Sequence, residues 1–285
     1  MFSRIMEIRD YLKKQQDSGK MIGFVPTMGA LHEGHLSLIN RSKSENDITV
    51  CSIFVNPIQF NNKSDLEKYP RKLDDDIHVL DKTGCDVVFT PEVEEMYPGG
   101  KEELLEISFG NLDKVLEGKY RPGHFKGVAI VVKKLFEIVQ PQNAYFGKKD
   151  YQQFLIVRHM VSALKLPVEI TGCPIIREKD GLAMSSRNLR MTLGERKIAP
   201  RIFEILYKVK EKAGTLPLIE LKNWAVRKIE ENPSFRVEYL EITDQETLTP
   251  LNSWSEKKKG IILAAIYLGD IRLIDNLEFF CNFAA

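Results

Sequence analysis

This chain of 285 residues lacks most of the signatures that would classify it at a glance. No apolar run approaches the ~18 residues of a membrane span. The segment Met1 to Tyr11 is too charged for a secretory signal, so a soluble, cytoplasmic protein with no membrane partner is expected. Cysteine is sparse: Cys51, Cys85, Cys173 and Cys281 are scattered, with no CxxC pair and no companion histidine spacing. That argues against a disulfide framework and against zinc, leaving reduced thiols and no protein-held metal as the expectation. An excess of one charge is also missing. Lys plus Arg number 41 against 40 for Asp plus Glu, so no global basic field invites nucleic acid, and any polyanion must meet a local cluster. Walker A and GxGxxG patterns do not occur, which removes the P-loop and dinucleotide readings. Repeats and low-complexity tracts are absent.

What is present fits a soluble globular protein: 43% hydrophobic and 28% charged residues, and length enough for one large domain or two modest ones. The first half alternates elements. Ile5, Ile8 and Leu12 recur at helical spacing and Gly19 stops that helix. Strands are predicted over Met21 to Val25, Ile48 to Val55, Asp86 to Phe89, Asn143 to Phe146 and Val168 to Thr171. Ile48 to Val55 is nearly continuous in β-branched residues, the pattern of a strand buried on both faces in a parallel sheet. Helices are predicted after His35 and over Leu73 to Lys82, Val128 to Val139 and Tyr151 to Leu164. Strands separated by helices imply right-handed crossovers and an α/β, Rossmann-like doubly wound parallel sheet. From about Ile175 the alternation stops. Helices over Glu195 to Ala213 and Leu218 to Glu231 precede strands over Arg236 to Ile242, Gly260 to Tyr267 and Asp270 to Ile274. The expected organisation is residues 1–174 as a nucleotide-binding domain and 175–285 as a smaller C-terminal α+β domain acting as a lid. Lys257 to Gly260 reads as a solvated hairpin turn.

The most informative stretch is Val-Pro-Thr-Met-Gly-Ala-Leu-His-Glu-Gly-His, residues 25–35. It puts His32 and His35 where the first strand hands over to a helix N-terminus, whose free N–H groups and dipole favour phosphate. HxGH in that setting is the signature of nucleotidylyl-transferring Rossmann-like enzymes, which act at the α-phosphate of a nucleotide. Asn56-Pro57-Ile58-Gln59 leaves the second strand, and Asn56 before proline is held extended. Gln59 is either a plain loop residue or a ligand group; a neutral amide suits a substrate with hydroxyl and carboxylate groups. Arg121-Pro122-Gly123-His124 opens the apolar helix as either an anion site or a simple cap. Gly147-Lys148-Lys149-Asp150 follows the fourth strand and could meet phosphate and ribose. Met184-Ser185-Ser186-Arg187 resembles the KMSKS loop of class I aminoacyl-tRNA synthetases and reads as a mobile triphosphate clamp. His78 and His159 are taken as structural or surface residues without partners.

Taken in order, these motifs, with Tyr-Phe-Gly-Lys-Lys-Asp-Tyr-Gln-Gln and Gly269-Asp-Ile-Arg-Leu-Ile-Asp-Asn276, resemble the pantoate–β-alanine ligase family over nearly the whole chain. The resemblance implies a two-step reaction. ATP and pantoate give pantoyl adenylate and diphosphate; the β-alanine amine then displaces AMP. It also implies site residues. Met28, Gly29, Ala30, Leu31, His32, Glu33, Gly34 and His35 match the segment on the ATP phosphates, with His35 the family's proton donor. Gly147, Lys148, Lys149, Asp150, Ile176, Met184, Ser185, Ser186 and Arg187 match further ATP-contacting segments. Gln59 and Gln153 match pantoate-holding glutamines, and Gln59 also borders the β-alanine pocket. Lys148 stands where the family has Glu. His32, His35 and Lys149 are the expected catalytic groups, Mg²⁺ is expected with the ATP, and a homodimer is implied. The alternative is an HxGH nucleotidylyltransferase that leaves the nucleotide on its product. A non-catalytic RNA-binding relic would need a basic face that the mixed C-terminal third lacks, so no nucleic-acid partner is expected.

Overall fold

A strand with no polar face must be covered on both sides, and Ile48 to Ile53 meets that demand inside a five-stranded sheet. The computed structural model describes residues 1–100, 105–254 and 259–280. The chain divides into two compact units: Met1–Lys148 with Gln152–Pro174, and Lys149–Tyr151 with Ile175–Ala285.

In the first unit the strands are β1 (Ile22–Thr27), β2 (Ile48–Ile53), β3 (Val87–Phe89), β4 (Asn143–Gly147) and β5 (Glu169–Cys173). Their order is β3-β2-β1-β4-β5, every pair parallel. Helices Glu33–Glu45, Leu73–Thr83, His124–Val139 and Tyr151–Leu164 make the crossovers. The winding direction reverses between β1 and β4, so the crevice beyond Thr27 and Gly147 is where such sheets bind ligands. Phe24, Val25, Ile39, Val50, Leu80 and Tyr145 fill the core. At ~1.5–3 kcal/mol for each large apolar side chain, this burial outweighs any surface ion pair, so the sheet supplies the rigidity the crevice needs. The helix Tyr151–Leu164 has the predicted bounds. That after β1 starts earlier than expected, at Glu33, because His32 caps it.

The second unit carries the antiparallel sheet β6 (Phe235–Asp244), β7 (Lys259–Leu268) and β8 (Ile271–Phe280), in the order β6-β7-β8. Ile202, Leu206, Leu221 and Ile229, from helices Arg201–Glu211 and Leu218–Glu230, pack with Leu240, Ile262 and Ile266 from the sheet. Two expectations need correction. The single helix over Glu195 to Ala213 is two, Leu193–Ile198 and Arg201–Glu211, because Pro200 has no N–H to continue the ladder. The last strand does not stop at Ile274. It runs to Phe280 through a buried Asp275 and Asn276, whose polarity masked it in the sequence. Of the expected lysine turn, Lys257 and Lys258 lie outside the described residues, while Lys259 and Gly260 begin β7. Cys51, Cys85 and Cys173 are free thiols; Cys281 lies outside the described residues. No helix among the described residues is long and apolar enough to cross a membrane.

Candidate active site

The segment leaving β1 needs unusual backbone. Gly29 has φ +80° and Ala30 φ +49°, and a Cβ on Gly29 would lie 2.8 Å from Asp76 Oδ2. The buried Asp76 carboxylate accepts the amides of Ala30 (2.8 Å) and Leu31 (2.7 Å), clamping this left-handed turn. Burial raises the Asp76 pKa above its ordinary value, while the two backbone bonds pull the other way. Nothing in the sequence singled out Asp76; the run Asp74-Asp75-Asp76 read only as helix.

His32 then acts as the N-cap of Glu33–Glu45. Its Nδ1 accepts the Gly34 amide at 3.1 Å, and His35 Nδ1 accepts the His32 amide at 3.3 Å, a reciprocal capping box built from two imidazoles. The ring centroids are 4.1 Å apart. An Nδ1 that accepts carries no proton, so each neutral ring bears its proton on Nε2. HxGH thus fixes two ring donors at a helix N-terminus, with the glycine supplying the amide that orients the first.

Gln59 sits in the short 3₁₀ turn Pro57–Gln59 after β2 and is buried. Asn56 Nδ2 donates to Gln59 Oε1 (3.3 Å) and to the Gly127 carbonyl (3.2 Å), while the Tyr97 hydroxyl donates to Asn56 Oδ1 (3.0 Å). Gln59 Nε2 reaches Met28 Sδ at 2.9 Å, joining the second strand's loop to the first's. Gly127 has to be glycine, since a Cβ there would come within 2.8 Å of Gln59 Cα. The Arg121 to His124 motif takes a different role from the anion site considered above. His124 is buried, and its Nδ1 donates to the Gln59 carbonyl at 2.8 Å. Its Nε2 accepts from Arg121 Nη1 at 3.2 Å, and Arg121 lies 3.7 Å from Glu117. The motif supports Gln59. Gln153 is half-buried on the first turn of its helix; its neighbour Gln152 is buried and holds the loop before Glu117 through the Leu112 and Val115 carbonyls. His159, expected to be unpartnered, contacts the Ser108 carbonyl through Nε2 at 2.9 Å and rests against Phe109.

Lys148–Asp150 forms a 3₁₀ turn directly after β4, with Lys149 Nζ 3.7 Å from Asp150 Oδ2. In the second unit, Ile176 and Met184 close a hairpin: the Met184 amide donates to the Ile176 carbonyl at 3.1 Å, and Arg177 pairs with Ala183. Ser185 caps the short turn Ser186–Arg190, its Oγ accepting the Arg187 amide at 3.3 Å, and Asn188 Nδ2 holds the Ala183 carbonyl at 3.0 Å. Internal bonds therefore shape this loop. Met28 to His35, Gln59, Gly147, Lys148 and Gln153 belong to the first unit; Lys149, Asp150, Ile176 and Met184 to Arg187 belong to the second. Among the described residues no group of three or more His, Cys, Asp or Glu is arranged to hold a metal ion.

Comparison with known proteins bears on what this arrangement does. A family model described as pantoate–β-alanine ligase matches residues 1–278. The pantothenate synthetase of Bacteroides thetaiotaomicron is 47% identical over 275 residues, covering 96% of this chain and 97% of its own. That of Porphyromonas gingivalis is 45% identical over 279 residues, covering 98% and 99%. Among solved structures, the Thermus thermophilus pantothenate synthetase aligns with a TM-score of 0.89 at 45% identity, covering 97% of this chain and 98% of that one. The pantoate–β-alanine ligase of Francisella tularensis, solved with β,γ-ATP and β-alanine, aligns with a TM-score of 0.81 at 37% identity over 99% and 98%.

Proposed function

This chain belongs to the pantoate–β-alanine ligase family, and from that premise we propose how its residues divide the work. It is an ATP-dependent acid–amine ligase: pantoate and ATP give pantoyl adenylate and diphosphate, and β-alanine then displaces AMP to give pantothenate. In the first step a pantoate carboxylate oxygen attacks the α-phosphorus and the bond to the bridging oxygen breaks. Charge builds on the α-phosphate and on the departing diphosphate, so catalysis is positioning plus charge stabilisation.

We assign that stabilisation to His32, His35 and Lys149. The observation that carries the assignment is the imidazole capping box, which holds two Nε2–H donors at a strand-to-helix junction. Met28 to Gly34 would line the ATP phosphates, and Gly147 to Asp150, Ile176 and Met184 to Arg187 would make further ATP contacts. Gln59 and Gln153 would bind pantoate; Gln59 would also border β-alanine. In the second step the uncharged β-alanine nitrogen attacks the acyl carbon, the bond to AMP breaks, and the nitrogen loses a proton. Mg²⁺ would enter on the ATP, held by phosphate oxygens and water; a hard cation delivered in that way needs no carboxylate cage, which suits the donor set here. A homodimer is part of the same reading on family likeness, and sedimentation of the purified chain tests it; a cytoplasmic location rests on the scattered cysteines.

The decisive assay is pantoate-dependent ATP–diphosphate exchange, with and without β-alanine, followed by mass analysis. Exchange without the amine, then pantothenate and AMP on adding it, is expected. A nucleotide retained on the product would overturn the ligase reading in favour of a nucleotidylyltransferase.

A further inference from the structure

We propose that Arg177, Asp275 and Asn276 form a buried bracket that sets the position of Lys149 and of the hairpin carrying Met184 to Arg187, with Asn276 a positioning residue for adenylation. The inference rests on the reading of Lys149 as a phosphate donor and deepens it.

β8 carries two consecutive polar residues, Asp275 and Asn276, both nearly inaccessible to solvent. A buried carboxylate is costly unless it is paired and hydrogen-bonded. Here the Arg177 guanidinium meets Asp275 with both ends, Nη1 to Oδ2 at 2.7 Å and Nη2 to Oδ1 at 2.9 Å. The Asn276 amide donates to Asp275 Oδ1 at 2.7 Å. Burial still pushes the Asp275 pKa up, against the pull of Arg177. Each terminal nitrogen of Arg177 also donates to backbone: Nη1 to the Gly181 carbonyl at 3.0 Å and Nη2 to the Asn276 carbonyl at 3.1 Å. Its guanidinium carbon lies 4.1 Å from the Phe203 ring centroid. A Cβ on Gly181 would lie 2.3 Å from Phe203 Cδ1, so that turn fits against the ring only as glycine. One arginine thereby ties β8 to the hairpin that leads into Met184.

Successive side chains leave a strand on opposite faces. While Asp275 takes Arg177, Asn276 Nδ2 donates to the main-chain carbonyl of Lys149 at 2.9 Å. That bond joins residues 127 apart in sequence and fixes the peptide from which the Lys149 side chain springs. The arrangement accounts for the two buried polar residues of the strand: one anchors the arginine, the other reaches the lysine turn. A purely structural strand at this place could have carried two apolar residues at lower desolvation cost.

The test compares wild type, Asn276→Ala, Lys149→Ala and the double variant in pantoate-dependent ATP–diphosphate exchange, with melting temperature measured alongside. A misplaced donor costs rate, so Asn276→Ala should lower kcat for exchange ~10- to 10²-fold, further than its loss of melting temperature accounts for. Since Asn276 acts through Lys149, the double variant should be no slower than Lys149→Ala. Should Asn276→Ala not fold, Asn276→Ser carries the same expectations. Wild-type exchange by the Asn276 variant beside a slow Lys149→Ala overturns the bracket alone, as do effects that multiply in the double variant. Wild-type exchange by Lys149→Ala overturns the lysine reading itself and the bracket with it.

Discussion

The two units hold their ATP-assigned residues by opposite means. In the first, the His32 and His35 rings each accept an amide from within three residues, and the turn before them is closed by one carboxylate, Asp76. In the second, the Met184 to Arg187 loop is shaped by its own bonds, but Lys149 and the arginine that opens the hairpin are anchored far along the chain, on Asn276 and Asp275, reached only after β8 is in place. A locally fixed group can be shaped as soon as its helix forms. A remotely fixed group takes its geometry from the whole unit. Damage to the first kind should therefore cost chemistry before stability, and damage to the second should cost both.

The largest expected effect lies in the second unit. Arg177→Leu strands the buried Asp275 carboxylate, and denaturant unfolding should show a loss of about 3–5 kcal/mol. A loss below about 1 kcal/mol, typical of a surface pair, would erase the distinction between the units. Next comes Gly29→Ala in the first unit. A side chain at φ +80° costs about 1–2 kcal/mol, and the new Cβ meets Asp76 Oδ2. Exchange activity should fall further than this stability loss requires, and an unaltered exchange rate would show that the turn is not shaping the histidines.

A smaller and more diagnostic effect concerns pH. The Asp76 pKa is raised in the folded protein, by burial first. A carboxylic acid with a raised folded pKa contributes its stability at low pH and loses it as pH rises through that value. Activity should run the other way, because only the carboxylate accepts both amides: it falls as pH drops through the same raised value. The stability that Asp76 contributes, taken as wild type minus Asp76→Asn, should thus fall with pH while the exchange rate rises, and parallel curves would contradict the clamp. The smallest effect expected is on the thiols of the first unit. Burial raises Cys51 and Cys173, and pushes Cys85 up to about 11, so residue-resolved mass mapping at pH 8 should find all three slow to alkylate. Fast labelling would mean that the first unit opens readily.

The same contrast governs what the sequence disclosed. The parallel strands were legible because burial on both faces writes unbroken apolar runs such as Ile48 to Ile53, and HxGH was legible because its constraints span four residues. Pro200 was visible too, yet the apolar periodicity on either side of it suggested one helix. β8 was cut short for a physical reason: Asp275 and Asn276 look like the end of a strand until Arg177 and the Lys149 carbonyl, distant in sequence, supply their partners. Asp76 passed as one more helix residue, and the motif ending in His124 stayed open between an anion site and a cap, for the same cause. Their partners are backbone groups of other loops, which leave no pattern in the neighbouring residues.

The most direct test of the histidine assignment separates the two half-reactions in His35→Ala. With one preorganised donor removed, adenylation measured by ATP–diphosphate exchange should slow by ~10²–10³, while aminolysis of supplied pantoyl adenylate by β-alanine should change far less. Normal exchange by this variant would contradict the assignment, because the ring held at the helix N-terminus would then contribute nothing to the charge that develops on the α-phosphate.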